Sequence, residues 1–480
     1  MRDYYGDMIP LPAELHSHKL TRRQLIRAGV IGSCSSLGLL QHTAIQAAAA
    51  HAMQPGAAKI RSCIFVFYYG GPSHLDTYDM KPNAPDSVRG EFKSIQSSLP
   101  GLQISEHMPN MARVMHKVAL VRSMHHTNRL HDSASTETHT GRQSPQGDRE
   151  EFSPIPQFYP CHGAVLSMLA GHQDVDVSHA LLPYQFHNVV TTPCQGGGFL
   201  GHRYDPLLID GNPAQLTYDI ESLKRPADLA DGRIRKRDNL LQELSAVRLP
   251  GDRLPFGELR DRAHELLQSE SLRRALRIDE EPAAVREKYG MQAPSAQAGH
   301  GAAALESTRP LRGQNLLLAR RLVESGVPFV NVHDFLQQGR NWDSHSQNFR
   351  QHKIYLLPQA DQALAALIED LDDRGLLEST LLVATGEFGR TPKINANAGR
   401  DHWPDCYTVL MAGGGVRPGM LYGSSDKTGA YPETDPVTPA DLAATIYDRF
   451  GLNPHLEIRD RTGRPHRIAD GSPIRQLFEG

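Results

Sequence analysis

With 480 residues, 39% hydrophobic and 22% charged, the chain can bury a large core; it is globular, and its length admits one large domain or two to three ordinary ones. A formal net charge of −3 gives no bulk field for nucleic acid or an anionic membrane surface, and both partner classes are set aside. The 24 His outnumber the 14 Phe and the 15 Tyr, an excess that fits a metal site because neutral imidazole is the commonest metal ligand.

Residues 1 to 20 are polar and unpatterned. Thr21-Arg22-Arg23-Gln24-Leu25-Ile26 then opens an apolar, small-residue run through Leu40 that ends at Ala47 to Ala50, the order of parts in a twin-arginine export signal. The run is too short and too rich in Gly and Ser for a stable membrane span, so residues 1–52 read as signal and polar extension, and the product as periplasmic or extracellular. Cys63, Cys161, Cys194 and Cys406 remain after cleavage, without Cys-x-x-Cys spacing. If one disulfide forms, Cys161 with Cys194 is the expected pair, since both lie in Pro/Gly-rich loop sequence.

Cys63 to Tyr69 reads as the first buried strand, stopped by Gly70-Gly71-Pro72-Ser73-His74-Leu75-Asp76, whose glycines permit a sharp turn with Asp76 near the strand tip. A helix near Met108 to His116 and a strand from Val118 to Arg122 follow, and then the polar stretch from Met124 through His125, His126 and His131 to Arg142. A helix capped there by Asp132 or Ser133 would offer free N–H groups as an anion cradle. Residues 145 to 215 are loop-rich, and about 220 to 310 read as a charged helical insertion. Phe329 to His333 and Leu381 to Thr385 form two more buried parallel strands, joined by a helix on which Ala360, Leu364, Leu367 and Leu371 share a face. Asn341 to His345, Gly386 to Arg390 and Asp401-His402-Trp403 follow these runs, where ligands gather in open parallel sheets. Tyr407 to Ala412 is a further strand, and Thr438-Pro439-Ala440-Asp441 is a capping box that opens an amphipathic helix to Phe450. The alternation points to one α/β domain over residues 53–480 with a long insertion.

This order of elements resembles the alkaline-phosphatase-like superfamily, which includes sulfatases and phosphatases. His131 to Arg142 aligns without gaps on the sulfatase signature Cys-x-Pro-Ser-Arg-x-x-x-x-Thr-Gly-Arg, with Thr140-Gly141-Arg142 matching its end. The twin-arginine signal together with Gly-Gly-Pro-Ser-His-Leu-Asp, Trp-Asp-Ser-His, Gly-Glu-Phe-Gly-Arg-Thr-Pro and Arg-Asp-His-Trp-Pro resembles an exported family of unknown function, number 1501. That resemblance implies a three-layer α/β sandwich with a mostly parallel central sheet and a helical insertion. It also departs from the superfamily, because His131 stands where sulfatases carry Cys and phosphatases carry Ser or Thr.

The chemistry implied is an exported, metal-dependent hydrolase of sulfate or phosphate esters, small or polysaccharide, that works without a protein hydroxyl or thiol. Asp76, Asp343, His345, Glu387 and His402 are the expected ligands of one or two divalent ions, Zn, Mn or Fe. His131 is expected at the reacting centre, and Arg142 and Arg390 offer forked donors to a sulfate or phosphate. Trp342 and Trp403, with His125 and His126, are expected to wall the substrate site. The competing class is a non-catalytic exported binding protein for polysaccharide, whose two Trp would stack on sugar rings.

Overall fold

The computed structural model describes residues 59–478 except 151–154, 156–157, 171–176, 189, 211–217, 219–268, 292–308 and 335–340. The export-signal stretch and most of the expected insertion lie outside the described residues; the described part of the insertion carries short helices at Glu270–Leu276 and Ala283–Lys288. None of the described helices is long and apolar enough to cross a membrane.

Eight strands form the central sheet: β1 (Ser62–Phe67), β2 (Val118–Met124), β3 (Ala180–Leu182), β4 (Leu207–Leu208), β5 (Phe329–His333), β6 (Thr380–Thr385), β9 (Tyr407–Gly413) and β10 (Leu421–Tyr422). Their order is β10-β2-β9-β6-β1-β5-β3-β4, and β9 alone runs against its neighbours. A separate hairpin pairs β7 (Gly389–Arg390) with β8 (His402–Trp403). The α/β fold is thus the mostly parallel one expected. β1, β5 and β6 are buried at every position, which is why they read as unbroken apolar runs rather than as alternation.

The helices are α1 (Pro109–Val114), α2 (His131–Thr140), α3 (His162–Ala170), α4 (Arg309–Glu324), α5 (Leu357–Asp373) and α6 (Pro439–Arg449). Successive side chains of a strand point to opposite faces. On one face, the rings of Phe65 and Phe67 meet His139 of α2 and His162 of α3. On the other, Tyr68, Ala384 and Leu410 share a cavity with Leu357, Ala360 and Leu364 of α5. The result is helix, sheet and helix in three layers. α6 begins with the expected capping box, in which Thr438 Oγ1 accepts from the Asp441 N–H and the Asp441 carboxylate accepts from the Thr438 N–H.

The segment expected to be loop-rich, 145–215, carries α3, β3 and β4 among its loops; its strands are two or three residues long, too short for a periodic signal. Two expectations are corrected. Cys63, Cys161, Cys194 and Cys406 are all buried free thiols, so the Cys161–Cys194 disulfide is absent. α2 starts at His131 behind Leu130 with no side-chain cap, and its N-terminus is already filled: Asp148 accepts from the N–H groups of Arg129 and Leu130 and from Ser133 Oγ, and Glu150 accepts from the His131 N–H. The chain's own carboxylates occupy the cradle, and Ser133 is turned away to Asp148.

Within buried α2, Glu137 accepts a 2.6 Å hydrogen bond from Asn128 Nδ2, yet burial pushes its carboxyl up to about 7. An acid whose folded value is raised contributes stability that is complete below its unfolded value and is lost as pH rises through the folded one. Wild-type thermal stability is therefore expected to fall between about pH 4.5 and about pH 7 by more than in Glu137→Gln. Parallel Tm profiles for the two proteins across that window would contradict this assignment.

Candidate metal centre

The C-terminal ends of β1, β5 and β6 are level, with Phe67 opposite both His333 and Thr385. The loops leaving that edge, and the one leading from β2 into α2, deliver the polar residues. Gly70 turns the first loop with φ +109°, and a Cβ there would stand 2.4 Å from the Asp343 nitrogen and 2.6 Å from Asn341 Oδ1. Only glycine lets the two loops approach this closely. The Gly70 N–H donates to both oxygens of Glu387, at 2.8 and 3.1 Å.

Three imidazoles surround the Asp343 carboxylate. His131 Nε2 lies 3.4 Å from Oδ2, and His345 Nε2 and His402 Nε2 lie 3.0 and 3.2 Å from Oδ1. Each ring is held from behind through Nδ1: His131 by Glu387 Oε1 at 2.6 Å, His345 by Asp401 Oδ1 at 2.7 Å, and His402 by the Arg129 carbonyl at 2.7 Å. Carboxylates and carbonyls only accept, so Nδ1 carries the proton on each ring and the Nε2 atoms converge. His345 Nε2 and His402 Nε2 stand 3.0 Å apart, so at most one of them carries a proton along that line.

Burial disfavours charge on His131, but hydrogen bonds from its ring to Asp343 and Glu387, together with their charges, outweigh it and lift the imidazole to about 9. Burial likewise opposes the Asp343 anion, and hydrogen bonds from His131, His345 and His402 with the Arg390 charge hold it well below the carboxylate range. His345, 46% exposed, is raised by its hydrogen bond to Asp343. His402, more deeply placed, is lowered by burial despite Asp343.

The donor set fits a divalent cation. Among the described residues, His131, Asp343 and His402 are the group whose ligand atoms all lie within 4.8 Å of one another. His131 Nε2 is fully buried, and the polar atom it faces is Asp343 Oδ2 at 3.4 Å. A buried imidazole nitrogen needs a partner, which the Asp343 carboxylate or a cation held beside it can supply. Metal-bound histidines characteristically give their other N–H to a carboxylate or carbonyl, which is the pattern of all three rings.

Several expected site residues are placed elsewhere. Glu387 lies behind His131 as its acceptor rather than among the converging nitrogens, and its main-chain carbonyl is gripped by His126 Nε2 at 2.6 Å. Asp76 is fully buried in an ion pair with Arg400, at 2.8 and 3.1 Å, and accepts also from Ser73 and Asn348. Arg390 is fully buried and spends its donors on the carbonyls of Gly70, Gly71 and Arg400 and on Asp343 Oδ1 at 2.5 Å; it braces the loops and has no face for an ester. Arg142, at the far end of α2, pairs with Asp470 and the Arg467 carbonyl and lies over the Tyr159 ring. Trp342, 2% exposed, donates to Asp334 and is covered by Arg312, so it offers no ring to solvent. His126 is buried, and burial lowers it to about 4. His125 is half-buried, its N–H on the Val437 carbonyl. Trp403 is half-buried on β8 beside His402.

Sequence reasoning missed Asp401 as the group that orients His345, although it directly precedes His402, and it missed the Arg129 carbonyl, for which no side-chain signal exists. A cavity of about 40 Å³ between β6 and α5 is lined by His74, Thr385 and Thr408 but by none of the converging imidazoles, and at that size it suits a water rather than a substrate.

The chain belongs to the family described as "Protein of unknown function (DUF1501)", which matches residues 60–478. No curated protein matches it. Among solved structures it is similar to the PsFucS1 sulfatase from Pseudoalteromonas sp., at 12% identity over 86% of this chain and 72% of that one with TM-score 0.37. It is also similar to the phosphonate monoester hydrolase SpPMH from Silicibacter pomeroyi (11%, 87% and 76%, TM-score 0.39) and to the alkaline phosphatase from the Antarctic bacterium TAB5 (10%, 82% and 99%, TM-score 0.33).

Gly70→Ala is expected to lower stability by on the order of 2 kcal/mol or more, since a left-handed backbone and three contacts under 3 Å must all be relieved. Thermal denaturation measures it, and an unchanged Tm would mean that the Gly70 and Asp343 loops are not packed as described.

Proposed function

We propose that this chain is a metal-dependent hydrolase of sulfate or phosphate esters, exported through the twin-arginine pattern Thr21 to Ile26. The observation that carries the reading is the trio of imidazoles, each fixed through Nδ1, whose Nε2 atoms converge on Asp343, with His131 Nε2 buried against Asp343 Oδ2. His131, Asp343 and His402 would hold the ion, with His345 at the same edge. A Zn, Mn or Fe ion bound there supplies Lewis-acid polarisation of an ester oxygen and a more acidic water.

The remaining work falls to the chain. Glu387 keeps the His131 ring oriented and its Nδ1 protonated, and the Gly70 N–H keeps Glu387 in place. Arg390 neutralises part of the carboxylate charge and fixes Asp343 against the Gly70-Gly71 turn. The half-exposed His345, with Asp401 on Nδ1, is the imidazole at the solvent side of the group, placed to exchange a proton with a substrate oxygen through Nε2. With Ser133 on Asp148, the reading assigns attack to water rather than to a protein nucleophile.

The second reading, a polysaccharide-binding protein without turnover, is favoured by that same lack of a nucleophile. Metal analysis of the full-length protein and assays with aryl sulfate and aryl phosphate esters decide between the two. The hydrolase reading expects bound divalent metal and turnover, and a 10- to 100-fold loss in metal affinity or turnover for Glu387→Gln, which acts through His131. Protein that neither retains metal nor turns over either ester would leave the binding reading in possession.

A further inference from the structure

Beside the imidazoles, on the side of β8 that Trp403 occupies, the structure exposes an aromatic pair. Tyr431 is 53% exposed, the most exposed large apolar side chain among the described residues, and its ring meets Trp403 at 5.7 Å in an edge-to-face arrangement. The Arg129 guanidinium lies 5.6 Å over the Trp403 ring and binds Asp405 at 2.7 Å. The other exposed large apolar residues, Val190, Leu208, Ile354 and Leu421, are aliphatic and sit on separate stretches.

This pair is built rather than incidental. The Trp403 indole N–H donates to the Ala430 carbonyl at 2.6 Å. Asp426 collects the N–H groups of Thr428, Ala430 and Tyr431 and the Thr428 hydroxyl, closing the 426–431 loop on itself. His74 Nε2 holds the Gly429 carbonyl at 2.8 Å. A rigid loop thus presents an aromatic ring to solvent, which forgoes burial of that ring. Trp403 follows His402 on β8 with its side chain on the other face of the strand, and Arg129 touches both, its carbonyl on the His402 ring and its guanidinium over Trp403.

We propose that Tyr431 and Trp403 form a subsite for a pyranose ring, so that the ester cleaved at the metal centre is a sulfate or phosphate carried on a glycan; this rests on the hydrolase reading above. A pyranose presents an apolar face of C–H groups and a rim of hydroxyls. The aromatic pair matches the first, and the Arg129–Asp405 pair supplies a donor and an acceptor for the second. A protein partner would need a contiguous patch far larger than two rings. The rigid frame keeps the entropic cost of binding low.

The test is affinity electrophoresis of the metal-supplemented full-length protein in native gels containing dextran sulfate, chondroitin sulfate, carrageenan, fucoidan or plain dextran. Retardation by a sulfated polymer is expected, with binding about tenfold weaker in Tyr431→Ala and unchanged in Leu208→Ala, whose exposed side chain sits on β4. The emission of Trp403 should shift on binding, because the other tryptophan, Trp342, is buried. Absence of retardation on every polymer overturns the proposal, as does retardation that Tyr431→Ala leaves intact. Binding is read without turnover, so this failure is distinguishable from failure of the hydrolase reading, which the metal and aryl-ester assays report.

Discussion

The arrangement depends on the buried contact between Asp343 and Arg390. A carboxylate taken out of water is costly unless charge and hydrogen bonds replace the solvent, and Asp343 receives both: a guanidinium and two imidazoles at Oδ1 and a third imidazole at Oδ2. Arg390 is equally constrained, because its other donors close on the carbonyls of Gly70, Gly71 and Arg400. One side chain therefore ties together loops that leave β1 and β6 and the segment before β8. The same charge that would make Asp343 a ligand also ties these loops together around it.

A second buried pair, Asp76 with Arg400, lies behind the first and is linked to it through the Arg400 carbonyl on Arg390 Nη1. Breaking either pair would strand a charge in the interior. The two pairs thus do structural work, and the acceptors behind the imidazoles, Glu387, Asp401 and the Arg129 carbonyl, set which nitrogen of each ring faces Asp343.

Much of the fold was legible because the central strands are buried on both faces and read as uninterrupted apolar runs. The expected Leu381 and Phe329 strands match β6 and β5 within a residue, and Ala360, Leu364, Leu367 and Leu371 all lie buried on α5. β3 and β4 escaped because two or three residues carry no period. At the site, residue types and their positions after strands were informative, and their partners were not. Asp76, Glu387 and Arg390 looked like ligands and anion donors, yet their functional atoms are committed to groups brought together only by folding, as with Asp76 and Arg400, 324 positions apart. Trp342 and Trp403 were indistinguishable as residue types; the Asp334 and Arg312 contacts bury one, while the other stays at the surface.

The central claim is that these imidazoles and Asp343 face a cation. Anomalous diffraction from crystals of the metal-supplemented protein, collected across the Zn, Mn and Fe absorption edges, tests it directly. A peak among His131 Nε2, His402 Nε2 and the Asp343 carboxylate is the predicted result; a map with no peak there, or with the ion bound at other residues, would contradict it.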